Sequence, residues 1–513
     1  MPTPLVETIA VAAEPPSLGD NTGDMDRLRR ALSAELGVTV PFARLAKVGA
    51  RFRAADFRGV AIVNRLGGGG ELVDFLPAMP DYLPAMALDL GTTHLEAALI
   101  DLFTGRRLAQ ATRPNSQAEY GDDVLSRIHF ATKGDGLATL QQAVVDDINA
   151  LAAELAGQQA GLAPDAIRAL SVAGNTTMVH LFLGLDPYHL CREPYIPLVN
   201  APDPCHGADL GLAIHPAAPV WVLPSIGSYF GGDLLAGIVA SNLDQEEAVS
   251  MLIDVGTNAE VVVGNREWLI ACAGAAGPAL EGGVARMGMR AGPGAIDQVA
   301  IDPASKIITY RTIGNEKPRG LCGSGIIDLV AGLYLARMID IRGKFRPSAM
   351  GERLVSGVDG HALLIAPAAE AADGHPVLLS QVDLDALMRS KAAMYAILTT
   401  LMHQVGMPFA ALHRIFVAGA FGRHIAPRQA IVLGMLPDLP LEVYQAIGNS
   451  SLAGAEVVLT DASARQRALA LVRRITYVEL NVNQEFMIRF SGSRFIPHTD
   501  RRLFPSVPFY NGE

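Results

Sequence analysis

The stretch Ala87-Leu-Asp-Leu-Gly-Thr-Thr93 restricts the fold most, because the chain repeats it as Met251-Leu-Ile-Asp-Val-Gly-Thr-Asn258. Each copy reads as a buried strand running into a tight turn. An acid stands near the strand end, Asp89 in one copy and Asp254 in the other. A glycine follows, Gly91 or Gly256, whose missing Cβ lets the backbone come close to a ligand. Polar side chains and backbone N–H groups come next, at Thr92 and Thr93 and at Thr257 and Asn258. That order suits a phosphate cradle with an acid placed to hold Mg2+, directly or through water. Two further echoes keep the same sequence order. Ser171-Val-Ala-Gly-Asn175 is answered by Phe416-Val-Ala-Gly-Ala420, and Pro224-Ser-Ile-Gly227 by Gln445-Ala-Ile-Gly448. The period is far too long for a solenoid, so a duplicated α/β domain with a ligand between its halves is expected.

The bulk numbers agree with that reading. A chain of 513 residues exceeds one ordinary core, so at least two domains are expected. Half the residues are hydrophobic and 18% are charged, enough apolar material for several cores. A net charge of −11 argues against nucleic acid and anionic membranes as partners. No apolar run is long enough to predict a transmembrane helix. The stretch Met1 to Asp26 is acidic and contains proline, with no basic segment ahead of an apolar one. It reads as a mobile arm rather than a secretory signal. Cys191, Cys205, Cys272 and Cys322 are scattered, with no Cys-x-x-Cys pair. That spacing fits neither an iron–sulfur cluster nor a structural zinc, and predicts reduced thiols in a cytoplasmic protein.

In chain order, residues 27–84 predict a small α+β unit and linker, with a helix from Asp26, a strand at Val60–Val63 and a return at Glu71–Phe75. Arg51, Arg53 and Arg58 read as a solvated basic face. Residues 85–248 form the first large half and 249–513 the second. His180 falls on a helix, where a packed or solvated role is the simpler reading. The Pro-, His- and Asp-rich stretch 189–219 is an insertion. Its His189, Cys191, Cys205, His206 and His215 match no metal-site spacing. Gly320-Leu-Cys-Gly-Ser-Gly325 leads into a helix, and the free N–H groups at Gly323 and Ser324 make an anion site there.

The two Asp-x-Gly-Thr turns, Gly419-Ala-Phe-Gly422 and the two Ile-Gly helices resemble the nucleotide-binding segments of the acetate/sugar kinase, heat-shock chaperone and actin superfamily. Six segments, Gly419-Ala-Phe-Gly422 among them, look like one branch of it, the ATP-dependent reductive activators of corrinoid proteins. They are Val172-Ala-Gly-Asn-Thr-Thr-Met178, Ala276-Gly-Pro-Ala-Leu-Glu-Gly-Gly283, Gly288-Met-Arg-Ala-Gly-Pro-Gly-Ala295, Gly323-Ser-Gly-Ile-Ile-Asp328, Gly419-Ala-Phe-Gly422 and Pro497-His-Thr-Asp500. The resemblance implies two RNase-H-like domains of actin-like ATPase type, preceded by a small middle-type domain, with MgATP in the cleft. It also implies a homodimer whose task is to rescue corrinoid methyltransferase proteins by coupling ATP to reduction of Co(II) to Co(I). Members of that branch carry an iron–sulfur domain. This chain begins just before the middle-type domain and has no cysteine set for a cluster, so electrons would come from a separate ferredoxin-like donor.

The residues predicted to act follow from the two readings together. Asp89 and Asp254 would hold Mg2+ through waters and orient the attacking water. Gly91, Thr92 and Thr93 with Gly256, Thr257 and Asn258 would cradle the phosphates, and Asn175 would reach them. Gly419, Ala420, Phe421 and Gly422 would line the adenosine side, and Gly323 and Ser324 would supply further N–H groups. Two rival readings remain at this level. One is a small-molecule kinase of the same superfamily, for which no acceptor pocket can be named. The other is a nucleotide-gated binding protein without turnover.

Overall fold

The computed structural model describes the chain except for residues 1–2, 33–36, 67–68, 257–258, 275–285, 290, 358–359, 420–421, 423–425, 481–482 and 511–513. It forms two compact units, one of Met1–Ala240 with Ser450–Arg473 and one of Ser241–Asn449 with Arg474–Glu513.

The first unit opens with a four-stranded sheet, β1 (Val6–Ala12), β2 (Val38–Thr39), β3 (Arg58–Asn64) and β4 (Gly70–Leu76), in the order β1-β3-β4-β2. Helices Asp24–Ala31 and Phe42–Ala54 cover it. Phe52 meets Phe57 and Phe75 edge-on at 5.1 and 5.3 Å, a favoured aromatic geometry. The expected mobile arm is corrected here. Val6 to Ala12 pairs antiparallel with β3 along its whole length, and Leu5 N donates to Leu459 O at 2.9 Å. Val6 and Val11 bury their side chains, whereas the acid and prolines that suggested an arm, Glu14 to Pro16, lie beyond the strand. The basic face is solvated at Arg53 and Arg58, and it also carries ion pairs. Arg51 pairs with the buried Asp74, and Arg53 with Asp24 at 2.8 Å.

A six-stranded sheet follows: β5 (Pro84–Leu90), β6 (His94–Asp101), β7 (Arg106–Pro114), β8 (Leu170–Gly174), β9 (Cys205–His206) and β10 (Pro219–Val222), ordered β7-β6-β5-β8-β10-β9. β5, β6 and β7 form an antiparallel meander, and β8 and β10 run parallel to β5. Being covered on both faces, β5 and β8 are apolar almost throughout rather than alternating. Helix Gly136–Gly157 packs on one face through Leu140, Val144, Ile148 and Leu151. The insertion at 189–219 joins the small sheet to this one. His206 Nε2 lies 2.8 Å from Glu71, and Asp74 receives Arg168 at 2.9 Å with His215 at 3.4 Å.

The second unit repeats the plan. β11 (Ser250–Val255), β12 (Ala259–Gly264) and β13 (Leu269–Gly274) form its meander. Two three-stranded sheets are inserted next. One comprises β14 (Ala295–Ile301), β15 (Ile308–Thr312) and β16 (Gly320–Leu321), the other β17 (Leu354–Gly357), β18 (Gly360–Ala366) and β19 (Val377–Ser380). β20 (Arg414–Ala418), β21 (Tyr444–Gly448) and β22 (Ile475–Tyr477) complete the large sheet in the order β21-β20-β11-β12-β13-β22. Helix Gln381–Gln404 begins with a capping box at Ser380 and fills the core with Met394, Ile397, Leu398 and Leu401. Its buried Lys391 donates to Phe495 O at 2.6 Å and Pro497 O at 2.7 Å, which fixes the C-terminal tail.

Five strands of each large sheet therefore share one order: β7-β6-β5-β8-β10 matches β13-β12-β11-β20-β21. This is the duplicated RNase-H-like arrangement the repeated motifs predict. One boundary differs from expectation. Residues Ser450–Arg473 belong with the first unit, not the second half of the chain. The cause is close packing. A Cβ on Gly454 would stand 2.2 Å from Ala236 O, so only glycine lets helix Ser450–Thr460 lie against helix Gly232–Ser241.

Candidate functional site

The first phosphate-type turn leaves β5 at Leu90. It sits at the C-terminal end of parallel strands, where ligands of open α/β sheets bind. Gly91 is required there, because a Cβ would lie 2.4 Å from His94 O. Three side chains hold the turn. Asn115, 1% exposed, donates from Nδ2 to Gly91 O at 2.9 Å, and its backbone N donates to Thr93 O at 2.9 Å. Asn175 donates from Nδ2 to Thr92 Oγ1 at 3.0 Å. Its Oδ1 accepts from Met178 N and so caps helix Thr176–Leu183. Ser451 donates from Oγ to Asp89 Oδ1 at 2.7 Å and fixes the carboxylate. The structure thus brings Asp89, Gly91, Thr92, Thr93 and Asn175 together at the C-terminal ends of β5 and β8.

The second turn leaves β11 after Val255. Asp254 pairs in register with Ala418 of the parallel strand β20. Gly419 follows with φ of +73°, and a Cβ there would lie 2.8 Å from Asp254 Oδ1 and 3.0 Å from Val255 O. Both the left-handed backbone and the contact demand glycine. Gly422 is equally constrained, since its Cβ would meet Val417 O at 2.1 Å. Asp254, Gly256, Gly419 and Gly422 therefore share the C-terminal end of β11 and β20. Thr257, Asn258, Ala420 and Phe421 lie outside the described residues, as does the glycine-rich stretch 276–283.

Gly323 and Ser324 belong to the second unit. They open helix Gly323–Leu335 beside β14, and the Ser324 hydroxyl donates to Asp297 O at 3.0 Å. That hydroxyl serves the packing of the inserted sheet. The histidines are structural as well. His180 is fully buried, with Nδ1 2.8 Å from Thr176 O and Nε2 accepting from Leu198 N at 3.2 Å. Burial pushes its pKa below the ordinary histidine value. His215 is pushed down to about 4 by burial and by Arg168. Among the described residues, no group of three or more His, Cys, Asp or Glu side chains could hold a metal ion. Nor is any described helix long and apolar enough to cross a membrane.

Asn115 and Ser451 escaped the sequence reading. Asn115 stands outside the repeated segments, and Ser451, on the helix that follows Gly448, becomes a partner of Asp89 only through tertiary packing. The acid and hydroxyl set at Asp89 suits a hydrated Mg2+.

Fold and turns together define a protein of the actin-like ATPase class. Residues 248–508 match the C-terminal domain of RACo, the ASKHA domain; residues 84–246 match the RACo middle region and residues 2–78 the RACo linker region. The chain belongs to the RACo family. The term middle thus falls on residues 84–246, and the small N-terminal sheet corresponds to the linker region. The corrinoid activation enzyme RamQ of Eubacterium limosum is 32% identical over 429 residues, which cover 82% of this chain and 72% of that protein. The Co(II) methylated amine-specific corrinoid protein reductase of Methanosarcina barkeri is 24% identical over 412 residues, covering 76% and 72%. The solved structure of a reductive activator for corrinoid, iron–sulfur protein matches with a TM-score of 0.91 and 36% identity, over 99% of this chain and 81% of that one.

Proposed function

We propose that this protein is an ATP-dependent activator that returns a corrinoid methyltransferase protein from Co(II) to Co(I), with electrons from a separate ferredoxin-like iron–sulfur donor. The observation that carries this reading is the likeness to a reductive activator, at 36% identity along 99% of the chain. Asp89 and Asp254 would hold Mg2+ through water, and the ion would neutralise charge on the nucleotide phosphates. The turn at Gly91–Thr93, with Asn175 behind it, and the turn at Gly256–Asn258 present N–H groups to those phosphates. Residues 419–422 serve the adenosine side. Asn115, Asn175 and Ser451 hold the first turn and its acid in place before the nucleotide arrives, so little reorganisation is needed at the reacting phosphate. Reduction to Co(I) is uphill from physiological donors. ATP can drive it only if its binding or hydrolysis discriminates between two states of the protein and its partner.

Phosphate release from MgATP by the wild type and Asp254→Ala tests the nucleotide part, with and without a corrinoid protein held as Co(II). The expected result is turnover that the corrinoid protein accelerates and the substitution abolishes. Turnover of Asp254→Ala at the wild-type rate refutes the assignment of that acid. Phosphate appearing on a metabolite would identify a kinase instead, and tight ATP binding without turnover a binding protein.

A further inference from the structure

One stretch of the insertion at 189–219 runs against the ordinary rule of burial. In Tyr195-Ile-Pro-Leu198 the proline is buried, while Ile196 and Leu198 are 62% and 68% exposed. Aliphatic side chains of that size ordinarily go inside, and an exposed apolar cluster marks a contact surface. Aromatic neighbours extend the cluster. Tyr195 packs on Tyr229 with ring centroids 5.5 Å apart, and Arg192 lies 4.7 Å from the centre of the exposed Tyr188 ring. Tyr195 N donates to Arg192 O at 2.7 Å and joins the two pairs. Tyrosine and arginine are the side chains enriched at the energetic centres of protein–protein interfaces. An anionic membrane would need a cluster of cations, whereas Arg192 stands between Asp186 and Glu193 in the sequence.

The segment is held in place by the residues around the first phosphate-type turn. Tyr195 has a φ of +60°, a left-handed conformation that a bulky side chain keeps only where its surroundings impose it. Ser228 Oγ donates to Tyr195 O at 2.6 Å. Asn200 accepts from Gly227 N at Oδ1, 2.9 Å away, and from Ser225 N at its carbonyl, 2.7 Å away. Leu198 N donates to His180 Nε2 at 3.2 Å, and His180 Nδ1 donates in turn to Thr176 O at 2.8 Å. Thr176 Oγ1 donates to Gly227 O at 2.9 Å. Thr176 follows Asn175, whose Nδ2 holds Thr92. Helix Thr176–Leu183 thus has the first phosphate-type turn at its cap and the exposed segment one helical turn further along.

We propose that the face formed by Tyr188, Arg192, Tyr195, Ile196, Leu198 and Tyr229 is the docking surface for the Co(II) corrinoid protein, with helix Thr176–Leu183 carrying the nucleotide state to it. The inference rests on the activator reading above. ATP acts on a partner only where the surface that holds the partner is joined to residues that meet the phosphates. This face is joined to them through His180, Thr176 and Asn200. A second copy of this chain, as an occupant, would need no such connection.

The test uses the full chain and a corrinoid methyltransferase protein held as Co(II). It measures the Kd of the pair with and without a non-hydrolysable ATP analogue, and separately the ATP turnover of the chain alone. The wild-type Kd is expected to change about fivefold or more with the analogue, the scale of a coupling between two sites. Ile196→Asp combined with Leu198→Asp is expected to raise the Kd about 30-fold or more, the scale of a lost interface centre. Its turnover without the partner is expected to stay within about twofold of the wild type, as for other surface changes. Asn200→Ala keeps the apolar face but removes the side-chain acceptor of Gly227 N–H. It is expected to bind the partner without nucleotide within about threefold of the wild type and to lose the response to the analogue.

A Kd for the double variant within about threefold of the wild type, less than one interface contact gives, overturns the inference and leaves the activator reading intact. An equal loss in Phe42→Asp overturns it too, since Phe42 is 90% exposed on the helix that covers the small sheet. A full response of Asn200→Ala to the analogue overturns the part given to the helix. A wild type that neither binds the Co(II) corrinoid protein nor supports its reduction removes the activator reading, and this inference with it.

Discussion

The two large sheets share five strands in one order and differ at their margins. The first is extended beyond β10 by the short β9, which comes from the insertion that binds the linker-region sheet through His206 and Glu71. The second is extended beyond β13 by β22, and carries two small sheets between its third and fourth core strands. The turns differ in the same way. Asp89 stands in a frame of side chains, with Ser451 on the acid and Asn115 and Asn175 on the backbone beside it. Asp254 stands beneath the backbone of Gly419. The strand-and-turn unit recurs in both copies, while the margins of the two sheets differ.

The largest expected effect asks whether the two acids are equivalent. Asp89→Ala and Asp254→Ala should each lower ATP turnover by about 100-fold or more, on the order of 3 kcal/mol of transition-state stabilisation. Steady-state phosphate release would measure both. A large loss for one and none for the other would break the comparison at its centre.

The glycines come next. Gly419→Ala adds a Cβ 2.8 Å from Asp254 Oδ1 on a left-handed backbone, and Gly91→Ala adds one 2.4 Å from His94 O. Each should cost roughly 1–3 kcal/mol of local strain and lower ATP turnover about tenfold or more. Isothermal binding and turnover would separate the sites. If Gly91→Ala is harmless while Gly419→Ala is not, the side-chain frame of the first turn absorbs the strain.

A smaller effect concerns pH. Asp233 has its folded pKa raised from 3.8 to about 6. The favourable contribution of its protonated form is full below about pH 4 and is lost as pH rises through 6. Asp233→Asn should therefore be more stable than the wild type at pH 8, by roughly 1–2 kcal/mol, and no more stable at pH 4. Denaturant titrations at the two pH values give the sign. The smallest change is Ser451→Ala, which removes one hydrogen bond to Asp89 and should cost about 1 kcal/mol in the same titrations.

The sequence disclosed what is local. Asp89 with Gly91 and Asp254 with Gly256 are legible because strand, acid and turn lie within a few residues of one another. The duplicated strand order was legible because the echoes recur in sequence. What escaped was set by tertiary packing. Ser451 reaches Asp89 only because helix Ser450–Thr460 returns to the first unit through the Gly454–Ala236 contact. Asn115 lies at the end of an ordinary meander strand, with nothing in its neighbours to mark it. Val6–Ala12 is a seven-residue strand whose partner, β3, lies some fifty residues on, and the acid and prolines after it hid the pattern. The Gly-Ser-Gly helix start has a packing role that its sequence does not disclose: it seats a helix tightly on β14, where a Cβ on Gly325 would lie 2.1 Å from Ile296 O.

The most direct test of the central claim follows the cobalt spectrum of a corrinoid methyltransferase protein poised as Co(II). The protein, a ferredoxin-like donor and a low-potential reductant are present, and MgATP is added last. The account predicts that Co(I) appears only after ATP is added, and that Asp254→Ala gives none. A spectrum that stays Co(II) while ATP is hydrolysed at an unchanged rate would contradict it.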